Sequence, residues 1–299
     1  MLNWEIYRII IYVFRIGGGF LVPADLHCHT KLSDGSTGID ELIYLARRMK
    51  INTISVTDHD TFAGAKRAKI IGQRYGIEVI MGAEISSFHK ESDKEVHILC
   101  YMCDATDRLE GLFKKIGEKR QKLASLVLQK LIKFYPISVE MVSKKAQGST
   151  NVFINHIIQA IMDTGYALPY GILFEKIFGK SLELPVKSEY PSVQEVIEQI
   201  HEANGLAVLA HPQKSNIEEK IHDFIDMGLD GIEIWHPSAD KESVERLSDI
   251  AFENGLLMTG GSDFHGMYSK WIHTLGSYGT PEDKIEEMRE RKQKICKKI

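Results

Sequence analysis

The sequence predicts an α/β barrel interrupted by a helical insertion. Three observations carry this. Short apolar runs of strand length alternate with helical patterns before residue 105 and again after residue 190. Polar side chains able to ligate metals recur at the ends of those runs, where a barrel collects its active site. Between residues 105 and 180 the alternation stops, and helical patterns follow one another with no clear strand.

The elements follow in order. "LVPADLHCHT" reads as a strand. "SDGSTGIDELIYLARRMK" reads as a turn and then a helix, with Ser36 or Thr37 as its cap and apolar Ile39, Leu42, Ile43, Leu45, Ala46 and Met49. "INTISVTDHD" is a second strand, and "TFAGAKRAKIIGQRYG" a helix stopped by Gly76. "IEVIMGAEIS" and "EVHILCYMC" are strands three and four. After the helical stretch, "SVQEVIEQIHEANG" is a helix, "LAVLAHP" a strand, "IEEKIHDFIDMG" a helix, "DGIEIWHP" a strand, "KESVERLSDIAFENG" a helix and "LLMTGGSDFHG" a last strand with its loop. Repeated strand–helix units of this kind argue a parallel sheet.

Composition sets the bounds. The 299 residues suffice for one large α/β domain or two smaller ones, and 43% hydrophobic with 26% charged residues reads as a globular chain. A net charge of −4 makes no electrostatic bid for nucleic acid by the chain as a whole. The charge is uneven, however. Residues 105–150 hold ten Lys/Arg against four Asp/Glu, about +6, so the remainder is about −10. Such a run is either a solvated helix face or a basic flap over an anion site.

Four cysteines (Cys28, Cys100, Cys103 and Cys296) suggest no disulfide framework and fit a reducing, cytoplasmic compartment. Cys100 and Cys103 fall in a strand-like run that would point them to opposite faces, which argues core packing rather than zinc or redox use. The N-terminal "NWEIYRIIIYVFRI" is apolar but broken by Glu5, Arg8 and Arg15. It falls short of the ~20 residues of a membrane span. No cleavage site follows it, so residues 1–21 are an extension without an assigned role and no stable membrane partner is expected.

The chemistry begins at His27 and His29, one residue apart at the end of the first strand. Residues i and i+2 of a strand share a face, so the imidazoles stand side by side, and the natural user of both is a metal. Asp34 lies in the next loop, His59 ends strand two, Glu84 ends strand three in "GAE", and His97 lies in strand four. His211 ends "LAVLAHP", and Asp263 and His265 end the last strand. A lone strand-end Asp is usually a helix cap and a lone His before Pro a loop residue. Six histidines and three carboxylates converging on one end of a barrel would repel or stay unsatisfied unless metals hold them.

The set "DLHCHT…SDG…TDHD…GAE…H…AHP…GGSDFHG" resembles the PHP family, named for polymerase and histidinol phosphatase domains. It looks most like the branch of nucleoside 3′,5′-bisphosphate phosphatases and RNA-trimming exonucleases. The resemblance covers roughly residues 22–104 and 190–280, with the motif pieces in the family's order. It implies a distorted (β/α)7 TIM-like barrel over 22–104 and 190–299, with 105–189 as a helical insertion capping the substrate. It also implies a trinuclear metal centre. By that analogy His27, His29, Glu84 and Asp263 hold the first metal, and Glu84, His97 and His211 the second, with Glu84 bridging. Asp34, His59 and His265 hold the third.

The implied reaction is hydrolysis of a phosphate ester by metal-activated water, held through Glu84, Asp263 and His97. Three divalent metals bring about +6 and three carboxylates remove about three, which leaves a charge suited to a phosphate dianion and a hydroxide. Ligation by His and carboxylate without thiolate suits Mn, Fe or Zn, two to three ions in all. Asp60 either caps the helix starting at Thr61 or orients His59.

One departure from the family pattern stands out. The insertion of that branch usually carries an Arg two residues before a His; here "FINHII" keeps His156 but puts Ile154 in the Arg position. Arg120, Lys119 or Lys122 would then supply the cation, and His156, Arg120 and Lys119 are the candidate substrate contacts. His89, His201, His222 and His273 read as surface or loop residues, and His236 as a neighbour of the site. The expected partner is a small anionic phosphate ester, extending to short RNA. Two other readings stay open: a phosphatase of a small monoester such as histidinol phosphate, and a non-catalytic metal-binding module. The basic insertion favours the nucleotide reading, because a longer anion needs more than one cation.

Overall fold

The computed structural model describes residues 24–166, 168–178, 189–267 and 273–296. The N-terminal extension lies outside the described residues. Seven strands form one sheet: β1 (Ala24–Cys28), β2 (Thr53–Val56), β3 (Glu78–His89), β4 (Lys94–Tyr101), β5 (Leu206–Leu209), β6 (Gly231–Trp235) and β7 (Leu257–Gly260). They pair in sequence order. After β7 the chain returns to β1: the His29 amide donates to the Phe264 carbonyl at 2.8 Å, and Cys28 bridges Phe264 in parallel. The sheet is therefore a nearly closed, TIM-like barrel.

The helices are α1 (Ile39–Arg48), α2 (Ala63–Tyr75), α3 (Glu110–Leu131), α4 (Val139–Lys145), α5 (Ile154–Asp163), α6 (Tyr170–Phe178), α7 (Val193–Glu202), α8 (Pro212–Ser215), α9 (Ile221–Asp226), α10 (Lys241–Glu253) and α11 (Glu282–Cys296). Their apolar stripes decide where they sit. Leu42, Ile43 and Ala46 of α1 and Ala65 and Ala68 of α2 bury against Ile54 and Val56 of β2. Val196, Ile197 and Ile200 of α7 and Leu247 of α10 pack with Ile85, Ile98, Leu209 and Ile232 of the sheet. Inside the barrel, Leu26, Ile80, Leu99, Tyr101, Val208 and Leu257 fill one end. The other end is left to polar groups.

Two glycines let the barrel close. A Cβ at Gly261 would lie 2.4 Å from the amide nitrogen of His27, so the chain leaving β7 passes close against β1 there only without a side chain. A Cβ at Gly35 would lie 2.7 Å from the His29 carbonyl oxygen, in the loop that returns over the two histidines.

Four expectations are corrected. The sheet is mixed, not parallel: β4 runs antiparallel to both β3 and β5. Only residues 90–93 separate β3 from β4, too few for a crossover. Strand β3 continues five residues past Glu84, so that carboxylate sits mid-strand rather than at an end. Helix α1 is entered through Gly38 with no side-chain cap, while the Ser36 hydroxyl accepts from the Met267 amide. Cys103 lies beyond β4 rather than in one strand with Cys100, because β4 ends at Tyr101 and Met102 turns left-handed at φ 52°; both cysteines are buried in the core, and the Cys103 thiol donates to the Ala203 carbonyl at 3.2 Å.

Between β4 and α7 every described element is helical. These helices have their own core, in which Leu123, Val127 and Leu131 of α3 meet Ile157 and Ile161 of α5 and Leu173 of α6. The unit docks on the loop after β1: Ser149 Oγ donates to the Ser33 carbonyl at 2.7 Å, and the Thr150 amide to the Leu32 carbonyl at 2.9 Å.

Candidate metal centre

The backbone builds the centre in steps. The β1–β2 register shifts between Asp25 and Cys28, which sets an extra residue in β1. A bulge of this kind lets His27 and His29 turn inward directly above the apolar filling that includes Leu26. His211 and Asp263 leave β5 and β7 in left-handed conformations, φ 28° and 50°. Such strain in non-glycine residues persists where the surroundings over-determine it, and here it aims two candidate ligands back over the barrel.

Glu84 is the hub. Its Oε1 lies 2.8 Å from His97 Nδ1 and 2.9 Å from His211 Nε2. Its Oε2 lies 3.2 Å from His29 Nε2, 3.3 Å from His27 Nε2 and 3.3 Å from His59 Nδ1. Asp263 Oδ1 stands 3.4–3.5 Å from His27, His29 and His265. Asp34 Oδ1 is 3.3 Å from His265 Nε2. All nine candidate ligands thus meet. Their donor atoms form four overlapping groups, each within 4.8 Å: His29, Asp34, His59 and His265; His27, Glu84 and His211; His27, His29 and Asp263; and His59, Glu84 and His97.

The donor set fits divalent metals. Five buried atoms of the nine residues have no hydrogen-bond partner: His29 Nδ1, Asp34 Oδ1, His59 Nδ1, His211 Nδ1 and Asp263 Oδ1. Buried polar atoms are rarely left so, and five in one cluster mark it as built to be completed by ions. The electrostatics agree. Burial pushes the carboxyls of Glu84, Asp34 and Asp263 up, but the surrounding imidazoles, with Lys214 beside Asp263, hold all three well below the ordinary carboxylate range. Burial opposes the charge on His29 and His97, yet the carboxylates, Glu84 foremost at His97, raise both to about 9. Burial wins at His211, which falls to about 4. Protons and metals therefore compete for the same buried donors.

Several residues at the site escaped sequence reasoning. Glu233 Oε1 lies 2.9 Å from His27 Nδ1, fixing the ring so that Nε2 faces the cluster, and its Oε2 accepts from the His211 amide. A charged residue inside the apolar strand "GIEIW" was the available signal. Lys214 Nζ donates to Asp263 Oδ2 at 2.6 Å, and His236 Nε2 lies 3.3 Å from the same oxygen. From the insertion, Asn155 Nδ2 donates to Asp34 Oδ2 at 2.9 Å, and the Tyr170 hydroxyl donates to Asn155 Oδ1. His89 is buried against Phe224 rather than on the surface.

The candidate substrate contacts occupy varied positions. Arg120 Nη2 donates to Asp60 Oδ2 at 2.5 Å and to Ser86 Oγ at 2.6 Å, and its guanidinium stacks on Phe153 at 4.5 Å. Asp60 therefore neither caps a helix, since α2 starts at Ala63, nor touches His59 through its carboxylate, which accepts from Ser86 and Arg120. Lys119 and Lys122 both donate to Glu189, at 2.8 and 2.7 Å. His156 Nδ1 accepts from the Phe153 amide, inside the insertion.

The link from Asn155 to Asp34 makes a prediction. Replacing a partner that orients a ligand typically costs 10–100-fold in metal affinity. Asn155→Ala should weaken the most loosely held metal by roughly that factor, 10–100-fold, without unfolding the protein, since Asn155 is only half-buried. Competitive metal titration against a chromophoric chelator checks this; an unchanged isotherm would show that Asp34 is held without the insertion.

A nearly closed barrel with a buried His/carboxylate cluster at one end fits a metal-dependent hydrolase, and the comparisons make it a phosphoesterase. A solved structure from Bifidobacterium adolescentis described as a metal-dependent phosphoesterase superposes with TM-score 0.81 at 30% identity, covering 90% of this chain and 96% of that one. The phosphoribosyl 1,2-cyclic phosphate 1,2-diphosphodiesterase of Eggerthella lenta is 29% identical over 252 residues, 83% of this chain and 96% of that protein. A 5′-3′ exoribonuclease of Haemophilus influenzae is 32% identical over 248 residues, 81% of this chain and 89% of that one. The PHP domain model matches residues 25–205, and the chain belongs to the PHP family.

Proposed function

We propose that the enzyme hydrolyses a phosphate ester of a nucleotide, either a nucleoside 3′,5′-bisphosphate or the phosphorylated end of a short RNA, with two to three divalent metals of the Mn, Fe or Zn type. The observation that carries this reading is Glu84, whose two oxygens together meet five imidazoles. A carboxylate so shared is suited to bridging ions. The relatives named for cyclic phosphate and RNA chemistry support the substrate class.

When bound, the metals supply a nucleophile from water at neutral pH and offset charge on the phosphoryl oxygens. The chain's residues do the rest. His27, oriented by Glu233, and His29 stand on one side of the Glu84 carboxylate, with His97 and His211 on the other. Asp34 and His265 extend the donor set toward the insertion, where Asn155 holds Asp34. Phe153 stacks on His59 at 5.8 Å, which brings the insertion to the edge of the centre, and this nearness supports reading Arg120 and His156, both against Phe153, as substrate-side groups, with Lys119 next to Arg120 on α3. The described cysteines, Cys28, Cys100, Cys103 and Cys296, are all free, which suits a cytoplasmic setting. Among the described residues no helix is long and apolar enough to cross a membrane.

The test has two parts. Protein reconstituted with Mn²⁺ or Fe²⁺ should hold two to three ions per chain by elemental analysis, and less than one would exclude the polynuclear reading. The loaded enzyme should turn over nucleoside 3′,5′-bisphosphates or short oligoribonucleotides with higher kcat/KM than histidinol phosphate or p-nitrophenyl phosphate. Equal or better use of the small monoesters would assign it to them instead.

A further inference from the structure

Residues 105–150 of the insertion carry a net excess of positive charge, ten Lys/Arg against four Asp/Glu, yet the structure commits much of it to ion pairs. Lys119 and Lys122 lie on Glu189, Lys115 on Glu195 at 3.6 Å, Lys145 on Asp163 at 2.6 Å and Arg120 on Asp60. None of these paired cations rests on a candidate metal ligand.

Lys214 does rest on one. Its Nζ donates to Asp263 Oδ2 at 2.6 Å, so its ammonium sits on a carboxylate of the metal centre itself. The contact uses Oδ2, while Oδ1 faces His27, His29 and His265. The ammonium thus lies beside the cluster and not within it. Half of the side chain is in solvent (50%), so the flexible stem can carry the charge outward over the rim. The backbone ties it to the site: His211 turns left-handed out of β5, Pro212 opens α8, and the Lys214 amide donates to the His211 carbonyl at 3.0 Å. A candidate metal ligand and the lysine are carried by one turn, closed by Asn216 at φ 52°. His236, buried against the same Asp263 oxygen, gives this rim a second imidazole.

We propose that Lys214 forms an anion subsite at the β5 rim of the centre, taking the second phosphate of a doubly phosphorylated substrate while the first lies over the metals. The proposal rests on the phosphoesterase reading above and names the part of the site that selects for a second anionic group. It places that selection on the barrel, on the turn after β5, rather than on the basic helix of the insertion.

The experiment uses metal-loaded full-length wild type, Lys214→Ala and Lys214→Arg with adenosine 3′,5′-bisphosphate and the two adenosine monophosphates. Lys214→Ala should keep the wild-type metal content and lower the ratio of kcat/KM for bisphosphate over monophosphate about tenfold, mainly through KM. Lys214→Arg should restore most of that ratio. Equal losses on all three substrates, or a lost metal ion, would overturn the proposal and leave Lys214 a structural partner of Asp263. Equilibrium binding of the same nucleotides by calorimetry separates it from the catalytic reading. If wild type binds the bisphosphate more tightly than the monophosphates, hydrolyses none of them, and loses that preference in Lys214→Ala, the subsite stands and the proposed reaction falls. If it hydrolyses them and Lys214→Ala leaves the preference intact, the subsite falls alone.

Discussion

Glu84→Gln is expected to abolish the centre as a unit. The substitution keeps the shape of the side chain, so β3 and its pairing with β4 should survive. What changes is charge and acceptor capacity: one oxygen becomes an NH₂ group facing imidazoles that already surround it. Two of the four donor groups include Glu84, and they share it with His27 and His211 in one and with His59 and His97 in the other. Metal content should drop to one ion or fewer, and kcat/KM by roughly three orders of magnitude, about 4 kcal/mol of transition-state stabilisation. Elemental analysis and steady-state kinetics check both numbers, with circular dichroism as the control for folding. Retention of two or more ions would mean that Glu84 is not the bridge its geometry suggests.

Much of this centre was legible in the sequence because its ligands are rare residue types at rule-bound places. Two histidines at i and i+2 of a strand must share a face, and His27 and His29 do. His211 and Asp263 follow apolar strands, and their chemistry shows in one line of sequence. What escaped notice depends on long-range geometry. Asn155 is an ordinary helix residue until Asp34, 121 positions away, is brought to it. Lys214 follows a candidate ligand by three residues, but only the left-handed turn at His211 aims it at Asp263.

The reversed direction of β4 was readable and was missed: a four-residue connection between strands cannot cross over, whatever the alternation elsewhere suggests. Conversely, charge counting pointed to the insertion as an anion site. The composition of residues 105–150 was right, but composition does not say which lysines already face Glu189, a residue just beyond that stretch. Charge runs locate a surface; pairing decides what is left to bind with.

Asp34 is where the barrel and the insertion meet, and its removal should separate their contributions. Its Oδ1 is buried without a hydrogen bond, 3.3 Å from His265 Nε2, and its Oδ2 accepts from Asn155. Asp34→Ala removes the single carboxylate from the group formed with His29, His59 and His265, leaving three imidazoles to hold a divalent ion without an anion. Loss of about one ion per chain and a fall in kcat of roughly 10²–10³ should follow, since a ligand to an ion that grips the phosphate is worth several kcal/mol in the transition state. His156→Ala makes the contrast. His156 also belongs to the insertion, but its Nδ1 serves the Phe153 amide and it is absent from every donor group. It should keep all its metal and change mainly KM. If Asp34→Ala kept full metal and rate while His156→Ala lost them, the insertion would be holding the ions and the loop after β1 merely supporting it, the reverse of what the positions of Asn155 and Asp34 imply.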